Sequence, residues 1–265
     1  MTKASSWVAT SPRQNFVLQA LSEEAYARLH DHLEPKSLEC GAVISPSGAR
    51  ASHAWFPTSA IISLQQDLDG KPGSEVALIG SDGLCGLSIV VGDGCSSRRA
   101  TVHCAGQAFR LPAEVLSAEF ETSPALRANL LRYFQAQMAQ VAQNAACYRL
   151  HSVEQQVCRR LLMLLDRLPA LEIPVTHEML ASALGVRREA ITLACSRLLA
   201  EAIIQPGRGR IRVLDRDGLE SHACECHLSL QREVARLSPA IAPDPRASSK
   251  GLVQVAGSIF STPPG

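Results

Sequence analysis

The stretch VTHEMLASALGVRREAITLACSRLLAEAII, residues 175–204, determines the fold predicted for the C-terminal part of the chain. Thr176 stands where a helix N-cap belongs. Ala181 is small at a point where two helices must cross closely, and Gly185 follows where a turn needs a positive φ. Ile191 falls where a second helix would pack back on the first. This spacing predicts two helices joined by a tight turn, the helix-turn-helix arrangement.

The second helix is predicted to begin at Val186 or Arg187, which leaves Arg187, Arg188 and Glu189 at its exposed N-terminal end. In a DNA-binding helix-turn-helix, this end of the second helix reaches base edges and phosphates. An ordinary helical hairpin within an α domain is the alternative, since small residues and glycines are common at such corners. The candidate DNA contacts are Thr176, Arg187, Arg188, Glu189, Thr192, Arg197, Arg208 and Arg210.

A basic turn and a short strand follow the two helices. Residues 206–210, PGRGR, have the composition of a turn, and residues 211–214, IRVL, alternate as a strand does. Between 187 and 216 the chain carries more arginines than acidic residues, which suits a surface that faces phosphates. Seven arginines (187, 188, 197, 208, 210, 212 and 216) stand against Glu189, Glu201 and Asp215. The pattern therefore favours a winged helix over a plain hairpin.

The composition of the whole chain limits the functions that fit. The 265 residues carry a formal net charge of +1, so affinity for DNA must come from a local patch. An apolar content of 46% with 19% charged residues is typical of a globular protein. The sequence shows no signal peptide and no apolar run of about 18 residues. Nine cysteines without regular spacing then suggest reduced thiols in a cytoplasm.

The N-terminal half changes from a helical to a strand-like pattern at Leu38. Residues 1–14 are polar and expected to be loose, and residues 15–33 form an amphipathic pattern with Ser22 as a helix cap. From Leu38 onward, short apolar runs alternate with turn-forming residues at a spacing of about 8–12 residues. This spacing predicts an antiparallel β-sandwich or barrel.

The longest helical pattern of the chain runs from Ser123 to about Leu150. Its apolar residues recur at steps of three and four, which gives a narrow stripe like that of a coiled coil. These residues are Leu131, Phe134, Met138, Val141, Ala145 and Tyr148. We expect a homodimer seam along this stripe, and the alternative is that this face packs on the β domain of its own chain.

Two further helical patterns, 151–168 and 217–237, flank the predicted DNA-binding unit. The second of them is followed by residues 238–265, which are rich in Pro, Ser and Ala. This composition predicts a disordered tail.

Four segments together resemble the Crp/Fnr family of bacterial transcription regulators, over about residues 15–222. They are the strand and turn of 38–48, HAWFPTSAIISL at 53–64, EVALIGSDGLCGL at 75–87, and the helices and wing of 175–214. The resemblance implies an α+β fold: an N-terminal antiparallel β-barrel of the jelly-roll, cyclic-nucleotide-binding-like type, a long dimerisation helix and a C-terminal winged helix-turn-helix. The implied division is a flexible N-terminus at 1–14, a sensor domain at 15–122, the dimerisation helix at 123–150, the DNA-binding domain at 151–222, and a C-terminal helix with the tail at 223–265.

The resemblance also implies a cytoplasmic homodimer that binds palindromic promoter DNA and contacts RNA polymerase. Arg188 and Glu189 match the Arg-Glu pair of the family's recognition helix. Arg can donate two hydrogen bonds to guanine, and Glu can accept one from the amino group of cytosine. The family's next base-reading arginine is replaced by Leu193, which departs from the usual half-site. Arg187 either substitutes for it or holds a phosphate.

The predicted effector pocket lacks part of the family's cyclic-nucleotide motif. Where cAMP-binding members carry a Gly-Glu pair for the ribose, this chain has Gly83 and Leu84. Near the phosphate motif it has Arg98 and Arg99, with Arg99 in place of serine, and a solvated turn is the alternative for both. We therefore expect that cAMP is not the ligand, while Arg98 leaves a cyclic dinucleotide or another anion open. No cysteine precedes Cys40, which argues against the iron–sulfur cluster of other members.

Two thiol features suggest a different signal. Cys195 lies in the second helix two turns beyond Arg188, and oxidation near that face would block docking on DNA; the alternative is a small buried residue. Four candidate metal ligands fall within six residues: His222, Cys224, Cys226 and His227. On one helix they would not share a face, so we predict no bound metal and no other cofactor. A redox or metal-sensing protein whose output is not DNA binding is the second hypothesis.

Enzyme activity is not expected. The sequence contains no P-loop, no GxSxG and no pairing of carboxylates or histidines that indicates a catalytic site. Regulation of transcription through DNA binding is the function that the sequence predicts.

Overall fold

The computed structural model describes residues 11–68, 73–168 and 170–237. Within these ranges, every helix falls short of the length or the apolarity that a membrane-spanning segment requires. The chain forms a layered β domain, then one long helix, then a helical domain with a small sheet. Residues 1–10, part of the segment expected to be loose, and the predicted tail of 238–265 lie outside the described residues.

The N-terminal helical region consists of short pieces rather than the single amphipathic helix predicted for 15–33. These are a 3₁₀ turn, α1 and α2 (Pro12–Gln14, Phe16–Gln19 and Glu23–His30). Asn15 divides them, because its buried side chain caps α1 and donates to the carbonyl oxygens of Pro57 (2.9 Å) and Gly83 (2.8 Å). Ser22 caps α2 as predicted, accepting a hydrogen bond from the third residue of the helix.

Two antiparallel sheets make up the β domain, with strand orders β1-β7-β3 and β2-β6-β4-β5. The strands are β1 (Glu34–Leu38), β2 (Val43–Ser45), β3 (His53–Pro57), β4 (Ile61–Gln66), β5 (Glu75–Ile79), β6 (Arg98–Cys104) and β7 (Gly106–Pro112). The predicted antiparallel layers are confirmed. The sheets stay open and do not close into a barrel, since among the described strands none pairs along its length with a strand of the other sheet.

Helices cover the first of these sheets. α3 (Ser88–Val91) and α4 (Ala113–Thr122) pack on each other, and α4 also contacts β3 and β7. Phe56, Leu111 and Leu116 form the centre of this core, each at most 1% exposed. Burial of such large apolar side chains is the main stabilising term of the layer.

The long helix α5 (Pro124–Leu150) packs one side on the β domain. Ser123 caps it, and the proline at the first position needs no backbone hydrogen bond there. Gln140 accepts a hydrogen bond from the backbone nitrogen of Leu78 (2.5 Å), and Asn144 donates to the carbonyl oxygen of Val76 (2.8 Å). These two bonds and the apolar residues around them attach α5 to β5.

The predicted seam of α5 divides into two halves. Leu131 and Met138 are each 47% exposed, and Ala145 is exposed as well. Phe134 and Val141 are partly buried against the β domain of their own chain. Packing on the chain's own β domain therefore accounts for part of the stripe, and the homodimer along the exposed part stays a prediction.

The C-terminal domain contains the remaining elements: α6 (Val153–Leu165), β8 (Glu172–Ile173), α7 (His177–Leu184), α8 (Arg188–Ala200), β9 (Ile204–Gly207), β10 (Arg210–Val213), α9 (Arg216–His222) and α10 (Cys226–Leu237). The single helix predicted over 217–237 is thus two helices. Ala223 adopts an extended conformation (φ −76°, ψ 158°) and breaks the chain into α9 and α10. This break decides where the cysteines at 224 and 226 point.

Helix α6 docks the C-terminal domain on the second sheet of the β domain. Its Arg160 forms an ion pair with Glu75 of β5, and both side chains are at most 2% exposed. Arg167, just past the end of α6, pairs with Asp82 at 2.6 Å. Leu78 of β5 belongs to the same buried apolar cluster as Leu161 of α6. The two domains therefore share one continuous core.

Candidate nucleic-acid interface and sensor cavity

The predicted helix-turn-helix has the geometry that its sequence implies. The Thr176 hydroxyl accepts a hydrogen bond from the backbone nitrogen of Met179 (3.1 Å) and caps α7. Gly185 ends α7 at φ 67°, a conformation that disfavours any residue with a side chain. Ile191 is fully buried and Ala181 is 5% exposed, as expected for the crossing point. Arg187 is the N-cap, so α8 begins at Arg188, one or two residues later than predicted.

The exposed side of α8 carries the predicted base-reading residues. Arg187, Arg188 and Glu189 are exposed around the helix N-terminus, where unpaired backbone N–H groups also favour a phosphate. Thr192 is exposed, and its hydroxyl lies 3.1 Å from Nδ1 of His177 and donates to the carbonyl oxygen of Arg188. Burial, and then the charge of Arg188, lower the pKa of His177. Both effects favour the neutral form of that histidine.

Leu193 is the most unusual residue of this surface. It replaces the arginine that the family resemblance placed there, and its side chain is 56% exposed. An exposed leucine buries little of its apolar surface in the free protein, so its contribution to stability is small. Apolar side chains in the major groove contact the methyl group of thymine.

Some arginines of the predicted basic surface form ion pairs, and others do not. Arg197 pairs with Glu154 (3.0 Å) and Arg210 with Glu172 (3.5 Å), while both arginines remain 61% exposed. Arg216 was predicted to lie on this surface, and that prediction is wrong. Its side chain is 17% exposed and lies between Asp166 (2.5 Å) and Glu220 (2.8 Å). Four arginines have no ion-pair partner within the described part of the chain: Arg187, Arg188, Arg208 and Arg212.

The predicted wing is a β-hairpin. β9 and β10 pair antiparallel with Arg210 opposite Gly207, and Gly209 makes the turn at φ 73°. Arg208 stands at the exposed tip. β8 adds a third strand to β10, through Ile173 opposite Ile211. β8 escaped prediction because two residues are too few to show an alternating pattern.

A cavity of about 200 Å³ opens into the β domain where the resemblance placed an effector pocket. Its apolar wall includes Trp55 and Leu84, and its polar groups include Arg50, Arg98 and Gln137. The guanidinium of Arg98 has no hydrogen-bond or ion-pair partner among the described residues. The cavity thus offers a positive charge next to apolar surface.

The other predicted pocket residues do not line this cavity. Gly83 lies behind it, where an added Cβ would meet the hydroxyl of Tyr133 at 2.1 Å. That hydroxyl donates to the carbonyl oxygen of Leu84 (3.2 Å) and accepts from Gln137 (3.4 Å). Arg99 points away and pairs with Asp67 (2.8 Å). The Tyr133–Gln137 pair links the cavity wall to α5.

Cys195 does not lie beside Arg188. It faces the buried side of α8, is 1% exposed and packs with Ile191 and Leu198. Burial raises its pKa to about 11, so the reactive thiolate is scarce at pH 7. Of the two interpretations given for Cys195, the small buried residue is the one that this position fits.

The four predicted metal ligands near the C-terminus do not converge. His222 lies 2.9 Å from Glu201 on one side of α9. His227 is 3% exposed and lies 3.5 Å from Asp166. Cys224 and Cys226 face the C-terminal end of α5 instead. One ion therefore does not bind all four of these side chains.

Comparison with known proteins adds evidence on the fold and the DNA-binding domain. A family model for the Crp-like helix-turn-helix domain matches residues 155–222, and no curated protein sequence matches the chain. FixK2 from Bradyrhizobium japonicum is 15% identical, with 72% of this chain and 98% of FixK2 covered at a TM-score of 0.61. A CRP/FNR-family transcriptional regulator from Thermus thermophilus is 22% identical, with 72% of this chain and 98% of that regulator covered at a TM-score of 0.57.

A third solved structure is CLP, a c-di-GMP-responsive global regulator from Xanthomonas campestris. It is 14% identical, with 72% of this chain and 99% of CLP covered at a TM-score of 0.59. At such identities the solved structures establish the common fold, and the family model establishes the type of DNA-binding domain. Together they show that the chain has the fold of the solved Crp/Fnr-family regulators and carries a Crp-like helix-turn-helix domain, the DNA-binding module of transcription regulators, at residues 155–222.

Proposed function

We propose that the protein binds promoter DNA as a homodimer, through α8 and the β9–β10 wing, under control of a small anionic ligand in the cavity of the β domain. The observation that carries the proposal is the set of exposed, unpaired arginines around the N-terminus of α8 and on the wing. A redox or metal sensor without a DNA output leaves this set unexplained. Contact with RNA polymerase stays a prediction.

The side chains of α8 suit a half-site that contains both G·C and A·T base pairs. Arg188 has the length and the free donors for a bidentate contact to guanine, and Glu189 can accept from cytosine. Leu193 favours a thymine methyl group where the family's usual reader would require guanine. We therefore expect an operator that differs from the family's usual sequence at the base pair facing Leu193.

The dimer proposal rests on the exposed half of the seam. Leu131 and Met138 lie seven residues apart, two turns along one face, and Ala145 continues the line. Pairing this face with a second α5 removes it from water. Two copies then present two α8 helices, which suits an operator with half-sites about one helical turn apart.

The signal proposal rests on the cavity and on its connection to α5. Arg98 supplies a positive charge for an anionic group, and Leu84 supplies apolar surface where cAMP would need a carboxylate. A bound ligand contacts Gln137, which belongs to the dimerisation helix. Binding in the cavity can therefore bias the packing of α5 and, through α5, the position of the DNA-binding domains.

Arg188→Ala is expected to reduce discrimination at one base pair of each half-site by about 1–3 kcal/mol, because it removes the bidentate contact. Arg208→Ala is the matched control: a lost phosphate contact weakens binding to all duplexes alike and lowers the salt slope by about 1. Affinity for a selected duplex and its single-base variants over a salt series measures both. Equal weakening of every duplex by Arg188→Ala would show that Arg188 contacts a phosphate.

Cyclic AMP is expected to leave the melting temperature unchanged, because the cavity has Leu84 where the ribose needs an acceptor. A small phosphorylated or carboxylated ligand that binds there should stabilise the fold by about 2.7 kcal/mol at 100 times its Kd. Thermal denaturation with cAMP, c-di-GMP and a panel of anionic metabolites measures this. Arg98→Ala should abolish the shift and Arg99→Ala should keep it; a cAMP-dependent rise would contradict the assignment.

A further inference from the structure

Four metal-ligating side chains meet where α5 ends and the α9–α10 connection passes over it. They are Cys147, His151, Cys224 and Cys226, and their nearest ligand atoms all lie within 4.8 Å of one another. The three cysteines are at most 4% exposed and form a buried cluster of their own. The His151 side chain is 16% exposed. The sequence did not indicate Cys147 and His151, because they lie more than 70 residues before Cys224 and Cys226 in the chain.

Two of the six separations among the four ligand atoms match the edges of a zinc tetrahedron, and all six are at most 4.8 Å. With Zn–S bonds of about 2.3 Å and a Zn–N bond of about 2.0–2.1 Å, tetrahedral geometry puts two sulfurs about 3.8 Å apart and sulfur and nitrogen about 3.6 Å apart. The Sγ atoms of Cys147 and Cys224 are 3.5 Å apart. Sγ of Cys226 and Nδ1 of His151 are also 3.5 Å apart. Each of these separations is within a few tenths of an ångström of the edge of a zinc tetrahedron.

The orientation of His151 is that of a metal ligand. Its Nε2 lies 3.3 Å from a carboxylate oxygen of Glu225, while its Nδ1 faces the cysteine sulfurs. A carboxylate on the outer nitrogen fixes the ring and its tautomer, and raises the basicity of the inner nitrogen. As the C-cap of α5, His151 also stands one helical turn beyond Cys147, on the same side.

A buried cation beside the cluster lacks a counter-charge. Arg159 of α6 is 2% exposed, and its Nε and one terminal nitrogen have no hydrogen-bond partner among the described residues. Its charge acts on the thiol of Cys147. A buried guanidinium without an anion is costly. Zinc with three thiolates and one neutral histidine carries a net charge of −1, which supplies the missing partner.

We propose that Cys147, His151, Cys224 and Cys226 bind one Zn²⁺ ion in a closed structural site. All four positions are protein ligands, so no position is left for a substrate. The site joins the C-terminal end of the dimerisation helix to the segment between α9 and α10. Because α6 begins at Val153, directly after the 151–152 connection, the ion fixes the point from which the DNA-binding domain extends.

Two other chemistries of cysteine fit this geometry less well. An iron–sulfur cluster distributes its ligands over two or more iron atoms, which separates them further than these four are separated. A disulfide between Cys147 and Cys224 needs a sulfur separation of about 2.05 Å, would leave Cys226 and His151 without a role, and would give Arg159 no anion.

The test is metal analysis of the full-length protein, purified without chelator and with reductant, followed by reconstitution. We expect one zinc per chain that survives gel filtration. Removal of zinc with a strong chelator should lower the melting temperature, and added ZnCl₂ should restore it. CoCl₂ added to the metal-free protein should give the visible bands and the sulfur-to-metal charge-transfer absorption of tetrahedral thiolate cobalt.

Single-residue variants distinguish the loss of a zinc ligand from a general loss of the fold. Cys224→Ser and Cys226→Ser should lose zinc, whereas Cys85→Ser, a buried cysteine of the β domain, should keep it. Arg159→Gln should keep the stoichiometry and weaken zinc binding by roughly 10- to 100-fold, as loss of an outer-sphere partner does.

The cobalt spectrum of the unsubstituted protein shows whether thiolates bind the metal, even if the cysteine variants fail to fold. Substoichiometric zinc together with no thiolate charge-transfer band would overturn the proposal. A Cys147–Cys224 disulfide found by mass spectrometry in metal-free protein, with no uptake of cobalt after reduction, would overturn it in favour of a redox pair.

Discussion

Glu75→Gln is expected to lower the free energy of unfolding by about 3–5 kcal/mol, the cost of leaving one partner of a buried ion pair uncompensated. Glu75 and Arg160 are at most 2% exposed, and they join β5 to α6. Burial raises the pKa of Glu75, and the charge of Arg160 opposes this rise. The amide keeps the size of the side chain and removes the charge, so the effect measures the loss of electrostatic pairing. Urea denaturation followed by circular dichroism measures this change in the free energy of unfolding.

The control for this prediction is an exposed ion pair. Glu34→Gln removes the partner of Arg110 (2.8 Å) on the surface, where water and salt compensate the charge, and should change stability little. The double variant Glu75→Leu with Arg160→Met should recover most of the stability, since an apolar pair of similar volume avoids burying charge. Equal effects of Glu75→Gln and Glu34→Gln would show that the two domains do not depend on this contact.

Leu131→Glu combined with Met138→Glu is expected to convert the proposed dimer to the mass of one chain in light scattering. Both side chains are 47% exposed in the single chain, so the substitutions should leave its fold intact. In a dimer they would place four carboxylates in an apolar seam. Affinity for a two-half-site duplex should fall with the dimer, because each half-site is then bound separately.

Substitutions at Leu131 and Met138 test the dimer without also disturbing the fold of the single chain. Val141 belongs to the same stripe but packs partly against its own β domain, so a charge there would also unfold the chain. Arg132→Glu is the matched control, because it changes the charge by the same amount on the side of α5 away from the stripe. An unchanged mass for the double variant would show that the seam lies elsewhere.

The helix-turn-helix could be predicted from sequence because its determinants are local. The cap at Thr176, the left-handed turn at Gly185 and the contact of Ile191 with the first helix all lie within 16 residues. The wing has the same property, since glycine and arginine mark its turn. The alternating strands of the β domain likewise follow from short-range periodicity, whereas their assembly into two open sheets does not.

Features that depend on distant residues escaped prediction. Arg216 counts as surface charge in the sequence, but Asp166, at the end of α6, binds it. Helical spacing puts Cys195 near the face of Arg188 and leaves open whether it is buried; α8 packs on α6 and α7 around Cys195, whereas Arg188, in the first turn, stays exposed. The proposed zinc ligands Cys147 and Cys224 come from segments far apart in the chain, brought together by the break between α9 and α10. In each case, packing between segments that are distant in the chain determines the surroundings of the side chain.

The central claim is that α8 and the wing read a two-fold symmetric operator. Selection of duplexes from a random pool by the full-length protein, followed by sequencing, tests it most directly. We expect an enriched palindrome whose half-sites are about one helical turn apart, bound with a steep salt dependence, and we expect Arg187→Ala combined with Arg188→Ala to abolish the enrichment. Recovery of no enriched sequence by the wild-type protein, or of the same palindrome by the double variant, would contradict it.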